Sequence, residues 1–202
     1  MNEERATGII LRTRPLTETS LIVQWLTQEA GRIATVAKGA RRPKSTFVGK
    51  LDLYYEADFT FQRARKSSLH TLREISLRAT RPELRKDFTA LEQIARAGRR
   101  IERTTEEEAP IPEVFELFKS FLDEIAQPPL ESSLLVAFEI KLLHQLGFAP
   151  VLEGSSLPIG SRRPLEQLQN LDFSAARRMK LSATQIFDVE AFLDRSFREA
   201  MA

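Results

Sequence analysis

The stretch Gly31-Arg32-Ile33-Ala34-Thr35-Val36-Ala37-Lys38-Gly39-Ala40-Arg41-Arg42-Pro43-Lys44-Ser45 is a short strand pattern running straight into a basic loop. Ile33, Thr35 and Ala37 alternate with Ala34, Val36 and Lys38, the period of two that a sheet strand requires. Lys38, Arg41, Arg42 and Lys44 then gather within seven residues. Gly39 and Ala40 allow the backbone close to whatever the cations face, and Pro43 and Ser45 stop regular structure. Such a loop, taken alone, is more often a solvated surface. Four flexible cations at a strand end nonetheless suit a polyanion, with a phosphate backbone as the first candidate.

Working outward, the other runs near this one are also strand-like. Thr7 to Arg12 carries β-branched and apolar residues, and Ser20 to Thr27 sets Leu21, Val23 and Trp25 against Ser20, Ile22, Gln24 and Leu26. The longest alternation spans Lys50 to Arg63, with Leu51, Leu53, Tyr55, Ala57, Phe59 and Phe61 on its apolar face. Its other face includes Asp52, Tyr54, Glu56 and Asp58, which reads as the wet side of a half-buried sheet rather than as a carboxylate metal cluster. A basic turn, Arg63 to Ser68, leads into a last strand from Leu69 to Ala79. Five short strands within residues 1–80 predict a small closed or nearly closed barrel.

After Pro82 the period becomes helical. Helices are expected over Leu84–Arg103, Glu113–Ala126, from Ser132 or Ser133 to Leu146, and from Ser182 or Thr184 to the carboxyl end. The third is apolar nearly all round and should occupy the middle of a bundle. Glu153–Gln169 reads as irregular, with a short helix from Ser174. Glu106, Glu107 and Glu108, followed by Pro110 and Pro112, read as a solvated helix end. The chain is thus an α+β multi-domain protein, a five-stranded barrel domain over 1–80 followed by an all-α helical domain over 81–202.

Charge separates along the same boundary. Residues 1–80 hold 14 Lys or Arg against 8 Asp or Glu, a net of +6; residues 81–202 hold 16 against 20, a net of −4. The basic surplus in the barrel half points to an anionic partner there. The absence of cysteine excludes disulfides and a thiolate zinc site and fits a reducing compartment. No apolar run approaches the ~18 residues of a membrane span, and no leader is evident, so a cytoplasmic protein is expected.

Catalytic groupings are thin. His144 falls in the most apolar helix, where a buried or half-buried structural role is expected, and His70 lies beside a turn and is expected at the surface. No nucleophile elbow or phosphate-binding glycine-lysine loop occurs, so the chain is not expected to be an enzyme and no cofactor is assigned. Nucleic-acid signals are better. Small barrels of the OB type bind single strands by pairing a positive groove with aromatic platforms. Besides Lys38, Arg41, Arg42 and Lys44, the cations on turns are Arg12, Arg14, Arg63, Arg65 and Lys66. Tyr54, on the wet face of its strand, and Phe47, just past the basic loop, are the expected base-stacking rings.

Gly8-Ile9-Ile10-Leu11-Arg12-Thr13, the run Thr17–Thr27, Gly31–Ser45 and Gly49-Lys50-Leu51-Asp52-Leu53 together resemble the RecO family of bacterial recombination and repair mediators. Phe138-Glu139-Ile140-Lys141-Leu142-Leu143-His144-Gln145-Leu146-Gly147-Phe148-Ala149-Pro150 is similar to that family's second signature. The resemblance covers residues 5–62 and 135–152. It implies an amino-terminal OB barrel and a helical domain that bind single- and double-stranded DNA and anneal complementary strands. It also implies engagement of the acidic tail of the single-stranded-DNA-binding protein, and work with RecR, often with RecF, to load RecA. On the basic motif it implies Lys38, Arg41, Arg42 and Lys44 as DNA contacts. Many members carry a four-cysteine zinc module soon after the second signature. Here Glu153–Gly160 and Phe173–Arg178 occupy its place with serines, so residues 153–180 are read as a degenerate, metal-free remnant. A protein-binding scaffold with little DNA affinity and an RNA-binding OB protein of the translation apparatus are the competing readings.

Overall fold

The computed structural model describes residues 3–128 and 131–201, which form two compact units. The first comprises the chain up to Arg81 together with Thr105–Phe115; the second comprises Pro82–Thr104 and the chain from Glu116 onward.

In the first unit β1 (Glu3–Pro15), β2 (Leu21–Thr27), β3 (Gly31–Ala37), β4 (Glu56–Gln62) and β5 (Leu69–Ala79) close into a barrel in the order β1-β2-β3-β5-β4. All pairings are antiparallel except β3 with β5, which is parallel over Ala34–Val36 and Leu69–Thr71. This is the five-stranded Greek-key barrel of the OB fold. Alternation explains its interior. Val23 and Trp25 of β2, Ile33 and Ala37 of β3, Ala57, Phe59 and Phe61 of β4, and Leu72 and Ile75 of β5 all point inward. Trp25 stacks on Phe59 with ring centroids 4.1 Å apart, and its indole N–H donates to Thr35 Oγ1 at 2.9 Å. The barrel therefore hides its largest ring without leaving that donor unpaired.

The long alternation from Lys50 does not begin as a strand. Residues 45–55 run in successive tight turns, Val48 N–H donating to Ser45 O, Lys50 to Phe47 O and Tyr55 to Asp52 O. Tyr54 adopts φ 64° in the last of these turns, just before β4. Tyr54 is buried rather than on a wet face, while Tyr55 packs against the core and stays partly exposed. Glu56, expected on the solvated side, is also buried and paired with Arg81 at 2.9 Å. Asp58 accepts from Arg78 Nε at 2.9 Å and from Thr7 Oγ1 at 2.8 Å.

The glutamate run returns to the barrel instead of ending in solvent. Glu107 bridges Arg32 in parallel fashion, and Glu108 N–H donates to Arg32 O at 2.9 Å. The Arg32 guanidinium grips Thr105 twice, at 2.8 Å to Oγ1 and 2.7 Å to the carbonyl.

The second unit contains a 3-10 turn (Pro82–Lys86) and α1 (Phe88–Thr104), the greater part of α2 (Pro112–Ile125), α3 (Ser133–Gln145), α4 (Ile159–Asn170), α5 (Phe173–Ala176) and α6 (Ala183–Ala200). As its composition predicts, α3 is buried nearly throughout, and it packs against α1, α4, α5 and α6. Its N-terminus has no side-chain cap from Ser132; the buried Ser133 hydroxyl donates instead to Ala176 O. The segment read as irregular contains α4, which turns Ser161, Leu165 and Leu168 inward. Pro164 lies inside α4 and cannot donate to the Gly160 carbonyl, which accepts instead from Gln185 Nε2 at 2.9 Å. The α6 N-terminus is closed by a capping box between Ser182 and Gln185. Among the described residues no helix is long and apolar enough to cross a membrane.

Both histidine expectations are reversed. His144 is exposed at the end of α3, whereas His70 is buried beneath Glu108 and stacks on Phe61 with centroids 5.3 Å apart. Local pattern missed this because Glu108, the group that covers His70, arrives from far along the chain.

Candidate nucleic-acid interface

The strand register decides which cations meet. Pro15 pairs with Leu21, and Leu21 pairs with Ala37, so the β1–β2 turn and the loop after β3 lie at one end of the barrel. Backbone bonds fasten them together: Arg41 N–H donates to Thr19 O at 2.9 Å, and Gly39 N–H to the Ser20 hydroxyl at 3.4 Å. Within the loop, Arg42 N–H donates to Gly39 O and Ser45 N–H to Arg42 O, both at 3.0 Å. The main chain is thus committed to its own turns and the side chains of Lys38, Arg41, Arg42 and Lys44 are left exposed. Among the described residues none of these four forms an ion pair with a carboxylate; the Arg41 guanidinium reaches toward Thr17 O at 3.5 Å. Arg14 is exposed one residue before the end of β1, and Arg12 is exposed on the same strand, next to a register shift after Ile10.

The second basic turn lies elsewhere. Gln62 pairs with Glu3, and β5 enters the barrel at the level of Ala34, which places Arg63, Arg65 and Lys66 at the opposite end. Arg65 and Lys66 are exposed there. Arg63 is not available as a surface cation: its Nε and Nη2 donate to Glu4 at 2.7 and 3.0 Å, and its Nη1 to Glu108 at 2.5 Å. The Arg63 hydrogen bonds hold the Glu4 carboxyl below its usual value. Lys38, Arg41, Arg42, Lys44 and Arg14 are exposed at the first end, with Arg12 three residues before the end of β1; those of 63–66 lie at the other end.

Neither expected stacking ring is free. Phe47 belongs to the barrel core, where it plugs the end beneath the basic loop, and Tyr54, at φ 64°, is buried. Phe47 goes inward because the barrel mouth leaves apolar core to be covered and the Ser45–Lys50 turns aim the ring at it. What the loop does enclose is an open groove of about 440 Å³. Its floor is made by Leu21, Phe47, Leu51 and Tyr55, and Arg41 and Arg42 stand along it. Tyr55 packs against the barrel core, as the alternation predicts, but is only partly buried and also lines the groove.

His70 lies at the other end. Ala64 N–H donates to its Nδ1 at 3.3 Å, and Nε2 stands 3.3 Å from Glu108 Oε1. Burial pushes its pKa below the usual value, Arg63 adds to the effect, and Glu108 and Glu4 oppose it. The folded protein therefore binds a proton at His70 less readily than the unfolded chain. Stability from this group is complete above the unfolded value of about 6.5 and declines as pH falls toward the lower folded value. The expected result is a barrel whose thermal midpoint drops between about pH 7 and 5.5, with that slope removed in His70→Gln. An unchanged slope in the variant would refute the assignment.

Barrels of the OB type recur among nucleic-acid-binding proteins, and this one carries exposed cations at one end. Family comparison specifies it further. Residues 1–81 match the model of Recombination protein O N terminal, residues 85–158 match that of Recombination protein O C terminal, and the chain belongs to the recombination protein O family. It is 29% identical over 170 residues to the DNA repair protein RecO of Syntrophus aciditrophicus, covering 84% of this chain and 64% of that one. It is 29% identical over 145 residues to the DNA repair protein RecO of Bacillus subtilis (72% and 56%) and 32% identical over 146 residues to that of Rhodopirellula baltica (72% and 54%). The chain thus matches less than two thirds of the length of these relatives.

Proposed function

We propose that this chain is a DNA repair and recombination mediator that binds single- and double-stranded DNA through the rim formed by Lys38, Arg41, Arg42 and Lys44, with Arg12 and Arg14 beside it. One observation carries the reading: the loop's main chain is held by hydrogen bonds while its four cationic side chains stay in solvent without carboxylate partners among the described residues. Cations so placed neutralise phosphates without reading bases. By lowering the repulsion between two backbones while leaving pairing edges free, they favour annealing. No nucleotide triphosphate is needed, and the role is that of a mediator rather than of a catalyst. Arg65 and Lys66, at the far end of the barrel, are secondary contacts in this reading, and Arg63 is structural.

The relatives' shared name supports the pathway. The proposed partners are RecR and the tail of the single-stranded-DNA-binding protein, with RecA acting downstream, in the bacterial cytoplasm near the nucleoid.

Replacing Arg41 and Arg42 together by alanine is expected to weaken binding to any sequence. It should reduce the slope of log affinity against log salt by about 1.4 on single strands, at ~0.7 per phosphate contact. A salt slope equal to that of the parent would count against the rim. Annealing of complementary strands coated with the single-stranded-DNA-binding protein, with and without this chain, tests the activity itself. Capture of that protein or RecR without measurable DNA affinity would favour the scaffold reading.

A further inference from the structure

The groove beneath the basic loop has a composition that phosphate binding alone does not require. Its floor is apolar, with Leu21, Phe47 and Leu51 packed beside Tyr55, yet two guanidinium groups stand along it. Tyr55 packs against the barrel core yet stays partly exposed, whereas Phe47 is buried, so the tyrosine is the groove-lining ring with accessible surface. The groove is held open by committed backbone: Lys50 N–H donates to Phe47 O at 3.1 Å, and Ile10 N–H to Tyr55 O at 3.0 Å. Asp52, the acid that also lines it, accepts from Leu53 N–H at 2.8 Å and caps its own turn.

Resting on the DNA-binding reading above, we propose that this groove seats one unpaired nucleobase against Tyr55 while Arg41 and Arg42 hold the flanking phosphates. Charge complementarity selects the occupant, because a guanidinium pair beside an apolar floor matches a ring joined to an anionic backbone. An apolar peptide would leave the two cations unused. A base within a duplex has both faces already stacked and enters only by unpairing, which costs a few kcal/mol. The rim therefore serves both DNA forms, and the groove adds affinity for single strands alone.

The test compares a single strand of about 16 nucleotides, the same backbone without bases, and a duplex of equal length. Tyr55→Leu should weaken the base-bearing single strand about 5- to 150-fold. It should leave the abasic strand, the duplex and the salt slope within about twofold of the parent, and Tyr55→Phe should bind like the parent. Equal losses on single strand and duplex, or no loss in a folded Tyr55→Leu chain, would overturn the proposal while leaving the cationic rim intact. A parent that bound neither DNA form would overturn both. Should Tyr55→Leu fail to fold, photocrosslinking of the unaltered chain to a 5-iodouracil strand decides: adducts at Tyr55 support the groove, and adducts confined to other residues refute it.

Discussion

Glu139→Gln is expected to destabilise the helical unit by about 3–5 kcal/mol, seen as a fall in its denaturant midpoint at unchanged m-value. Glu139 is wholly buried in α3, and its carboxylate takes Arg96 in bidentate fashion, at 2.8 Å from Nε and 3.0 Å from Nη2. Arg100 Nε donates to the same Oε1 at 2.9 Å. Burial works against the charge of Arg96, but the carboxylates around it, Glu139 first, raise its pKa. An amide in place of Glu139 keeps the shape and removes the charge, leaving two partly buried guanidiniums with their central counter-ion gone. The outer partners do not replace it: Glu190, at 2.7 Å from Arg96, and Asp194, which bonds Arg100, are both much more exposed. Glu190→Gln is accordingly expected to cost no more than about 1 kcal/mol. Equal effects of the two substitutions would show that the buried carboxylate is not the centre of the network. The same residue stands in the Phe138–Pro150 signature, so this part of that motif is explained by helix packing among α1, α3 and α6.

Gly31→Ala should release the return segment from the barrel. Gly31 has φ +70°, and a Cβ built on it would stand 2.3 Å from Ala109 O and 2.5 Å from Ala109 C. Two costs combine: the left-handed conformation, about 1–2 kcal/mol for a residue with a Cβ, and a backbone collision that no side-chain rotation relieves. The expected outcome is a loss of about 2–4 kcal/mol in barrel stability. Hydrogen exchange at the Glu108 amide, now bonded to Arg32 O, should accelerate selectively. Gly39→Ala supplies the comparison. It shares the positive φ, at +69°, but its nearest neighbour would be Arg42 Cδ at 3.6 Å, so it should lose the conformational part alone. If Gly31→Ala costs no more than Gly39→Ala, the return segment is not clamped at this position.

The two substitutions mark different sources of information. Barrel and bundle were legible because they rest on local periodicity. Val23 and Trp25 on one face of β2, Phe59 and Phe61 on one face of β4, and the continuous apolar surface of α3 each announce a buried element over a few residues. The basic loop was legible for a similar reason, since four cations within a short loop cannot all be buried. Its family signature coincides with that physical signal.

Other features depended on partners distant in sequence or on a single backbone angle. Arg63 reads like any turn cation until Glu108, 45 residues onward, is brought against it. His70 reads as a surface residue until the same glutamate covers it. Tyr54 leaves the wet face that alternation assigns it, at a residue with φ 64°, while Tyr55 stays on the core side with Ala57, Phe59 and Phe61.

Sequence by itself determined the five strands, the central helix and the basic loop, because period and charge density act over short spans. Tertiary structure decided which cations share one end of the barrel, which is neutralised, and which ring lines the groove. Closing a barrel fixes strand register, and register sets long-range neighbours that no local window contains.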